Sequence, residues 1–483
     1  MTSSVPMPMR VPVPVIRPRR RWWLPSAIAG AVFILAALGV PYYAWLADQQ
    51  AWGEAEAEAD RLDPRWRLLQ LEADRQAVPD AENSAFVLTA IAATYPSFRS
   101  RPLVQNEKNY KKIFENVPPT AQLNHQQFQL MRGFLAKHAE PLAKLQKLKD
   151  MPRGRFPITY RDAFNVFNDS GAKGIALYDW LEHDAYCLAH DGQYDAAVES
   201  CQAIVNIGRS FGDEPSNNAI GHRYEMQGRA AVALERVLAQ GEACDDVLQA
   251  IQALIALELK EDQWLRNLRV DRAGNHYFHD NVRAGKVKTE VLQGRCFYLN
   301  DGTWRGWVSG NFPSTLMAAY PESLRYMNRA VEIAKLPVHE QRAKYTALDV
   351  AAKNSGNYLM IFWLRLYDFK CWSEGFLRST LVALACERYR LQHERWPASL
   401  DVLVQAKLLD AVPSDPMDNE PLRYRIKEDG VVIYCIGMDR ADNDGRIENQ
   451  IYNDPLAGFD AGFRLWDVSR RRQPPLPPVA LPE

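Results

Sequence analysis

Hydrophobic positions recur at helical spacing through most of the chain. Apolar residues fall at i, i+3, i+4 and i+7 in "QFQLMRGFLAKHAEPLAKLQKL" and in "AIGHRYEMQGRAAVALERVLAQG". This spacing places them on one face of an α-helix. The pattern loosens between Asp280 and Pro321, a stretch rich in Gly, Asn and aromatic residues that predicts an ordered loop region or a lid. The sequence therefore predicts a large α-helical domain over residues 48–354.

One segment of this region has a recognisable form. "WLEHDAYCLAHDGQYDAAVESCQAIVNIGRSF", near residues 180–210, predicts two helices joined by a turn at Asp191-Gly192. The positions of Gly192, Tyr194 and Ala197 resemble those in one tetratricopeptide-like helical hairpin. A continuous repeat core needs about three copies, and no second copy stands in register. An ordinary helical pair within an irregular helical domain is the favoured interpretation.

The pattern changes in the last quarter of the chain. A long helical pattern stops at Trp396-Pro397, because proline lacks a backbone N–H and disfavours helix in the residue before it. A short helical segment and the turn-rich "VPSDPMDNEP" follow. Two alternating runs, "LRYRIK" and "VVIYCIG", then predict an antiparallel hairpin. A small α+β module is therefore expected over residues 355–467.

This module resembles the globular domain of the major pseudopilins of type II secretion. The resemblance is in "ACERYRLQHERWPASLDVL", "DPMDNEPLRYRI" and "DGVVIYCIGMDRADNDG", and it covers about residues 377–453. The corresponding residues are Tyr389, Trp396, Pro397, Asp415, Pro416, Asn419, Pro421, Tyr424, Tyr434, Gly437 and Asp439. The resemblance implies a pseudopilin-like fold, a calcium loop and an association with type II secretion or surface assembly.

The same comparison shows where this chain departs from a pseudopilin. Pseudopilins carry a processing site of the Gly-Phe-Thr-Leu-x-Glu type directly before their first helix, and "RPRRRWWLPSAIAG" contains none. More than 300 residues also separate that region from the C-terminal module. The chain is therefore not expected to be a fibre subunit.

A long uncharged segment lies near the N-terminus. Residues 22–47 carry no charge and exceed the ~20 apolar residues that cross a bilayer. Arginines precede the segment and acidic residues follow it, so the positive-inside bias predicts a cytoplasmic N-terminus and a periplasmic or otherwise extracytoplasmic remainder. A signal peptide cleaved after Gly39 is the alternative. The prediction is an uncleaved transmembrane helix in a single-pass inner-membrane protein.

Charge and cysteine content narrow the class of function. The formal net charge of -1 argues against a nucleic-acid partner, which favours a strongly basic surface. The 7 cysteines are scattered without a Cys-x-x-Cys motif, so most are expected to be small core residues rather than a disulfide framework.

An acidic loop, "GMDRADNDGRIEN", offers oxygen ligands. It holds Asp439, Asp442, Asn443 and Asp444, and calcium prefers six to eight hard oxygen ligands. The resemblance to pseudopilins implies calcium at this loop, whereas a solvated acidic turn is the alternative. The register is not that of an EF-hand, because Arg440 and Ile451 would occupy its first and last ligand positions.

Two groups of histidines are candidates for chemistry. His276 and His279, with Asp271 and Asp280 nearby, have the residue types of an acid–base or metal site, with local hydrogen bonding as the commoner explanation. The second group lies on one helix face and has residue types that bind metals: His183, Cys187 and His190. No second cluster of metal-ligand residues accompanies this group in the sequence. Familiar hydrolase and nucleotide-binding motifs are absent from the sequence.

These observations predict five segments and favour a non-enzymatic role. The segments are a basic Pro-rich cytoplasmic tail (1–21), a transmembrane helix (22–47), a helical domain (48–354), a pseudopilin-like module (355–467) and a Pro-rich tail (468–483). The expected function is a membrane-anchored scaffold or docking protein for other envelope proteins. The alternative is an envelope-acting hydrolase with a site near His276 and His279.

Overall fold

The computed structural model describes seven stretches of the chain: residues 46–94, 117–158, 177–214, 217–287, 314–355, 363–447 and 458–478, besides Ala29 and Tyr43. The chain forms two compact units, Met1–Glu54 and Ala55–Glu483. In the first unit, residues 46–54 are helical. The second unit contains all of the structure considered below.

The predicted membrane architecture is contradicted. Across the part of the chain that the structure describes, no helix is both long enough and apolar enough to cross a bilayer. The helix Trp363–His393 has the length, with 31 residues, but charged side chains such as Asp368, Lys370 and Arg378 interrupt it. The single-pass topology and the inner-membrane location are therefore corrected. The predicted span, 22–47, lies outside the described residues apart from Ala29, Tyr43, Leu46 and Ala47.

The prediction of a mainly helical chain with a small sheet is confirmed. Within its described stretches, the helices of the second unit are α1 (55–62), α2 (Leu68–Ala73), α3 (Ser84–Thr94), α4 (His125–Lys137), α5 (Ala139–Gln146), α6 (Tyr178–His190), α7 (Tyr194–Arg209), α8 (Asn217–Leu238), α9 (Asp245–Lys260), α10 (Gln263–Arg283), α11 (Ser314–Ala334), α12 (Val338–Ser355), α13 (Trp363–His393) and α14 (Leu400–Gln405). The strands of the same stretches are β1 (Arg423–Lys427), β2 (Gly430–Cys435) and β3 (Ala461–Trp466).

Local chemistry sets several of these boundaries. Asn124 and Gln127 form a reciprocal capping box that begins α4, and the Asp262 carboxylate accepts the backbone N–H of Leu265 at the start of α10. Gly192 has a φ of +78°, a conformation that favours glycine, and it ends the α6 helix. The helical pair predicted near 180–210 is therefore α6 and α7, which pack together and against α8.

A buried ion network joins the middle helices. Glu258 of α9 accepts hydrogen bonds from Arg223 at 2.7 Å and pairs with Arg209, and all three side chains are almost fully buried. Desolvation by itself would raise the pKa of Glu258, but Arg223 and Arg209 lower it to about 2. The network holds α7, α8 and α9 in one arrangement.

The C-terminal module is a long helix on a small sheet. The strands form an antiparallel sheet in the order β1-β2-β3, and α13 packs on β2 and β3. The helix ends at His393, just before Trp396-Pro397, and the Trp396 indole donates a 2.6 Å hydrogen bond to Asp467. The predicted helix stop and hairpin are both confirmed.

The last described residues tie this module to the helical region. Arg471 donates to Glu387 of α13 and to the Gly241 carbonyl, while Arg472 donates to the carbonyls of Ala189 and His190. The backbone of Gln473 also bridges to Ala121. Residues 471–473 of the predicted Pro-rich tail thus contact the helical region, and residues 479–483 lie outside the described part.

Candidate functional site

The two predicted histidines lie in a cluster between α10 and α11. Arg272, His276 and His279 occupy one face of α10, at i, i+4 and i+7, and they meet Tyr320 and Asn328 of α11. We call these five residues the histidine cluster. All five are buried.

Ring stacking holds the histidines in place. The His279 ring lies 3.9 Å from the Tyr320 ring, with an angle of 15° between their planes, and its Nδ1 is 2.8 Å from the Asn275 carbonyl. The His276 ring lies 4.7 Å from the Trp66 ring. Each imidazole thus packs against an aromatic ring, as is typical of packed interior histidines.

Acidic residues from α1 and the following turn complete the cluster. Asp63 accepts from Arg269 at 2.8 Å and 2.9 Å and also pairs with Arg272. Glu56 Oε1 lies 3.9 Å from His276 Nε2. The two acidic residues predicted near the histidines, Asp271 and Asp280, have other surroundings. Asp271 accepts a hydrogen bond from the Asn275 side chain, and Asp280 is exposed.

Burial makes these histidines weak bases. Desolvation lowers the pKa of both His276 and His279 to about 4, so both are neutral at pH 7. A general base works best when its pKa lies near the operating pH. The cluster therefore offers hydrogen bonding and packing rather than proton transfer. The aromatic loop expected beside it, which includes Trp304, Trp307 and Phe312, lies outside the described residues.

The residues of the predicted calcium loop are held mainly by arginines and by one another. Asp444 pairs with Arg425 at 2.6 Å, and Asp442 lies 3.3 Å from Arg423. The Asn443 amide donates to Asp439 at 3.2 Å.

Arginines compensate the charge of two carboxylates of this loop. The Arg425 guanidinium contacts Oδ1 of Asp444 and the Arg423 guanidinium contacts Oδ2 of Asp442, so each carboxylate has a cationic partner. Within the described stretches, no group of three or more His, Cys, Asp or Glu side chains could hold a metal ion. Calcium binding stays an untested prediction.

The second candidate group, on α6, is also part of the packed interior. His183 and Cys187 are buried, and the His190 ring stacks on Phe128 at 4.2 Å. Desolvation lowers the pKa of His183 to about 4 and raises that of Cys187 to about 12. His183 and Cys187 are therefore core residues, and His190 is half-buried against Phe128 of α4.

An open groove lies on the other side of α11, along its contact with α12. It has a volume of about 480 Å³. Its floor is apolar and is formed by Leu62, Ile333, Ala347, Leu348 and Ala351. Its rim carries Arg329, Glu332 and Lys344. We call this feature the α11–α12 groove.

Hydrogen bonds preform the walls of this groove. The Tyr345 hydroxyl donates to the Ala330 carbonyl at 3.0 Å, and the Tyr326 hydroxyl donates to the Ala351 carbonyl at 3.2 Å. Gln341 donates to the carbonyls of Ala334 and Leu336 at the corner between the helices. No sequence pattern predicted the groove, although Ala347 and Ala351, four residues apart, place two small side chains on one helix face.

No protein-family model, curated protein or solved structure matches this chain.

Proposed function

We propose that this chain is a non-enzymatic docking protein that binds another protein through the α11–α12 groove. The observation that carries the proposal is the groove itself, which is open, apolar at its floor and charged at its rim. A surface of this kind, lying between two helices, is typical of protein–protein recognition. The floor residues Ala347 and Ala351 are exposed, so a partner reaches them without rearrangement of α12.

The C-terminal module supports a more specific version. A long helix packed against an antiparallel hairpin is the arrangement that the resemblance to pseudopilins implies. We therefore propose that the partner belongs to a secretion or surface-assembly system. The hydrolase alternative has less support, because His276 and His279 are neutral, stacked and buried.

Cross-linking and mass spectrometry on the full-length protein from native cells test the proposal. The chain offers two comparable lysines on α12, Lys344 at the groove rim and Lys353, whose side chains are 50% and 51% exposed. They are nine residues apart, which places them on opposite faces of a helix with about 3.6 residues per turn. Docking in the groove predicts reproducible partner peptides linked to Lys344 and not to Lys353.

Two results would contradict the proposal. One is a protein whose Lys344 is linked only to its own chain. The other is equal linkage of Lys344 and Lys353 to the same abundant proteins, which indicates random encounter. Pilin-like or secretion components linked at Lys344 would support the more specific version, and unrelated partners at the same lysine would leave only the general one.

A further inference from the structure

From the α11–α12 groove, and resting on the proposed docking function, we infer that the partner segment is an acidic amphipathic helix. The volume of the groove indicates how many side chains of a partner it can hold. A cavity of about 150 Å³ holds one benzene-sized group, so 480 Å³ holds roughly three such groups. Three anchors at i, i+3 or i+4, and i+7 are what one face of a short amphipathic helix presents.

The floor favours a helix over an extended strand. Ala347 and Ala351 lie one turn apart on α12 and are exposed, so α12 has no bulky side chain along this line. A helix backbone can therefore approach α12 closely, with its larger side chains against Ile333 and Leu348. A strand would instead need free backbone donors and acceptors to pair with, and the walls of this groove are helices, whose backbone groups bond within each helix.

The rim favours negative charge on the partner. Glu332 is paired with Lys335 at 2.5 Å, which neutralises the acidic side chain of the rim. Lys344 is 4.0 Å from Glu340, and both side chains of that pair are about half exposed, so the pairing is weak. The Arg329 guanidinium lies over the Tyr326 ring at 5.5 Å, a contact that attracts the cation but supplies no net negative charge. Glutamates flanking the apolar face of a ligand helix would complement Arg329 and Lys344.

A second copy of this chain fits less well. In a two-fold symmetric dimer the same patch meets itself, so the excess of positive charge at one rim, Arg329 and Lys344 against Glu332, would meet the same excess on the other copy. Like charges brought together at an interface oppose association. Sedimentation of the purified full-length chain checks this point: a dimer that Lys344→Glu alters and Lys353→Glu does not would overturn the inference in favour of self-association.

The direct test uses two synthetic helices of roughly 18 residues, with leucine on one face and either glutamate or lysine on both flanks. Binding of each labelled peptide to the full-length protein is measured by fluorescence anisotropy. The acidic peptide is expected to bind at least about tenfold more tightly than the basic one. Lys344→Glu should weaken its binding by about tenfold, whereas the matched reversal Lys353→Glu should leave it within about twofold.

A second variant tests the groove without changing charge. Ala351→Phe fills the floor and should weaken both peptides, with thermal unfolding used to confirm that the variant is folded. Equal binding of the two peptides, or no binding of the acidic peptide at about 100 µM, would overturn the acidic-helix inference. That failure is distinct from failure of the docking function, which depends on partner cross-links at Lys344.

Discussion

Arg272 is a fully buried cation whose charge is paired with Asp63. Its side chain is 0% exposed, it also donates to Asn328 at 3.2 Å, and its guanidinium lies 5.0 Å from the Trp66 ring centroid. Removing one partner of a buried ion pair is costly because the other charge stays buried without compensation. Asp63 is therefore expected to matter more for stability than an acidic residue at the surface.

Asp63→Asn should lower the free energy of unfolding by about 3–5 kcal/mol. The matched control is Asp74→Asn, which also removes a carboxylate from an arginine pair, with Arg65, but at an exposed position. The control should unfold like the parent protein. Urea denaturation measures the free energy of unfolding of both variants. Equal stability of the two would show that the buried ion pair contributes no more than the exposed one.

The packing of α13 on the sheet depends on a glycine. At Gly375 an added Cβ would lie well inside van der Waals contact of the Cys435 sulfur on β2, and close to Pro416. Cys435 has no room to move away, because it is fully buried and its thiol donates to the Ala461 carbonyl at 3.3 Å. The absence of a side chain at residue 375 is what allows α13 to lie close to the sheet.

Gly375→Ala should therefore destabilise the protein by about 1–3 kcal/mol through overpacking, despite the better helix propensity of alanine. Gly133→Ala is the control. It is also a glycine within a helix, and nothing among the described residues lies within 4 Å of its added Cβ. The control should stabilise the protein by up to about 1 kcal/mol. Thermal unfolding measures both, and recovery of stability in Gly375→Ala/Cys435→Ala would assign the loss to this contact.

The stability of the whole molecule should respond to mild acid through two sets of groups with opposite signs. Desolvation lowers the pKa of His183, His276 and His279 to about 4, so between pH 6.5 and 4 the unfolded chain binds more protons than the folded one. Stability is therefore lost as the pH falls through that window. Desolvation raises the pKa of Glu235 to about 7, and this group gains stability as the pH falls from 7 towards 4.5.

Substitutions separate the two contributions. Between pH 6.5 and 4.5, His279→Gln should reduce the loss of stability as the pH falls, because it removes a group that takes up a proton on unfolding. Glu235→Gln should increase that loss, because it removes a group that releases a proton on unfolding. Urea unfolding of the parent and both variants at three pH values gives the slopes. Parallel curves for all three proteins would mean that neither group changes its protonation on unfolding in this range.

Much of the architecture was predictable because it depends on local rules. The 3.6-residue periodicity identified the helical region, and the missing N–H of Pro397 predicts that α13 ends before it, as it does at His393. The β1–β2 hairpin follows from alternation around Asp429-Gly430. The predicted single-pass architecture was wrong, because no helix within the described stretches is both long and apolar enough to cross a bilayer.

The candidate site was less predictable, since it depends on which helices meet. The sequence placed His276 and His279 on one helix, but only the packing of α10 on α11 and α1 surrounds them with Tyr320, Trp66 and Asp63 and makes them poor bases. Asp63 and Arg272 are 209 positions apart, so no local pattern links them. The same is true of the α11–α12 groove, whose floor includes Leu62.

The sequence by itself determined the helices, their ends and the C-terminal hairpin, because backbone propensity, capping and hydrophobic periodicity act over a few residues. The tertiary structure decided which polar groups are buried, which arginines face the acidic loop and where an open surface remains. Burial and charge pairing arise between segments far apart in the chain, and they set both the pKa values of the histidines and the shape of the groove.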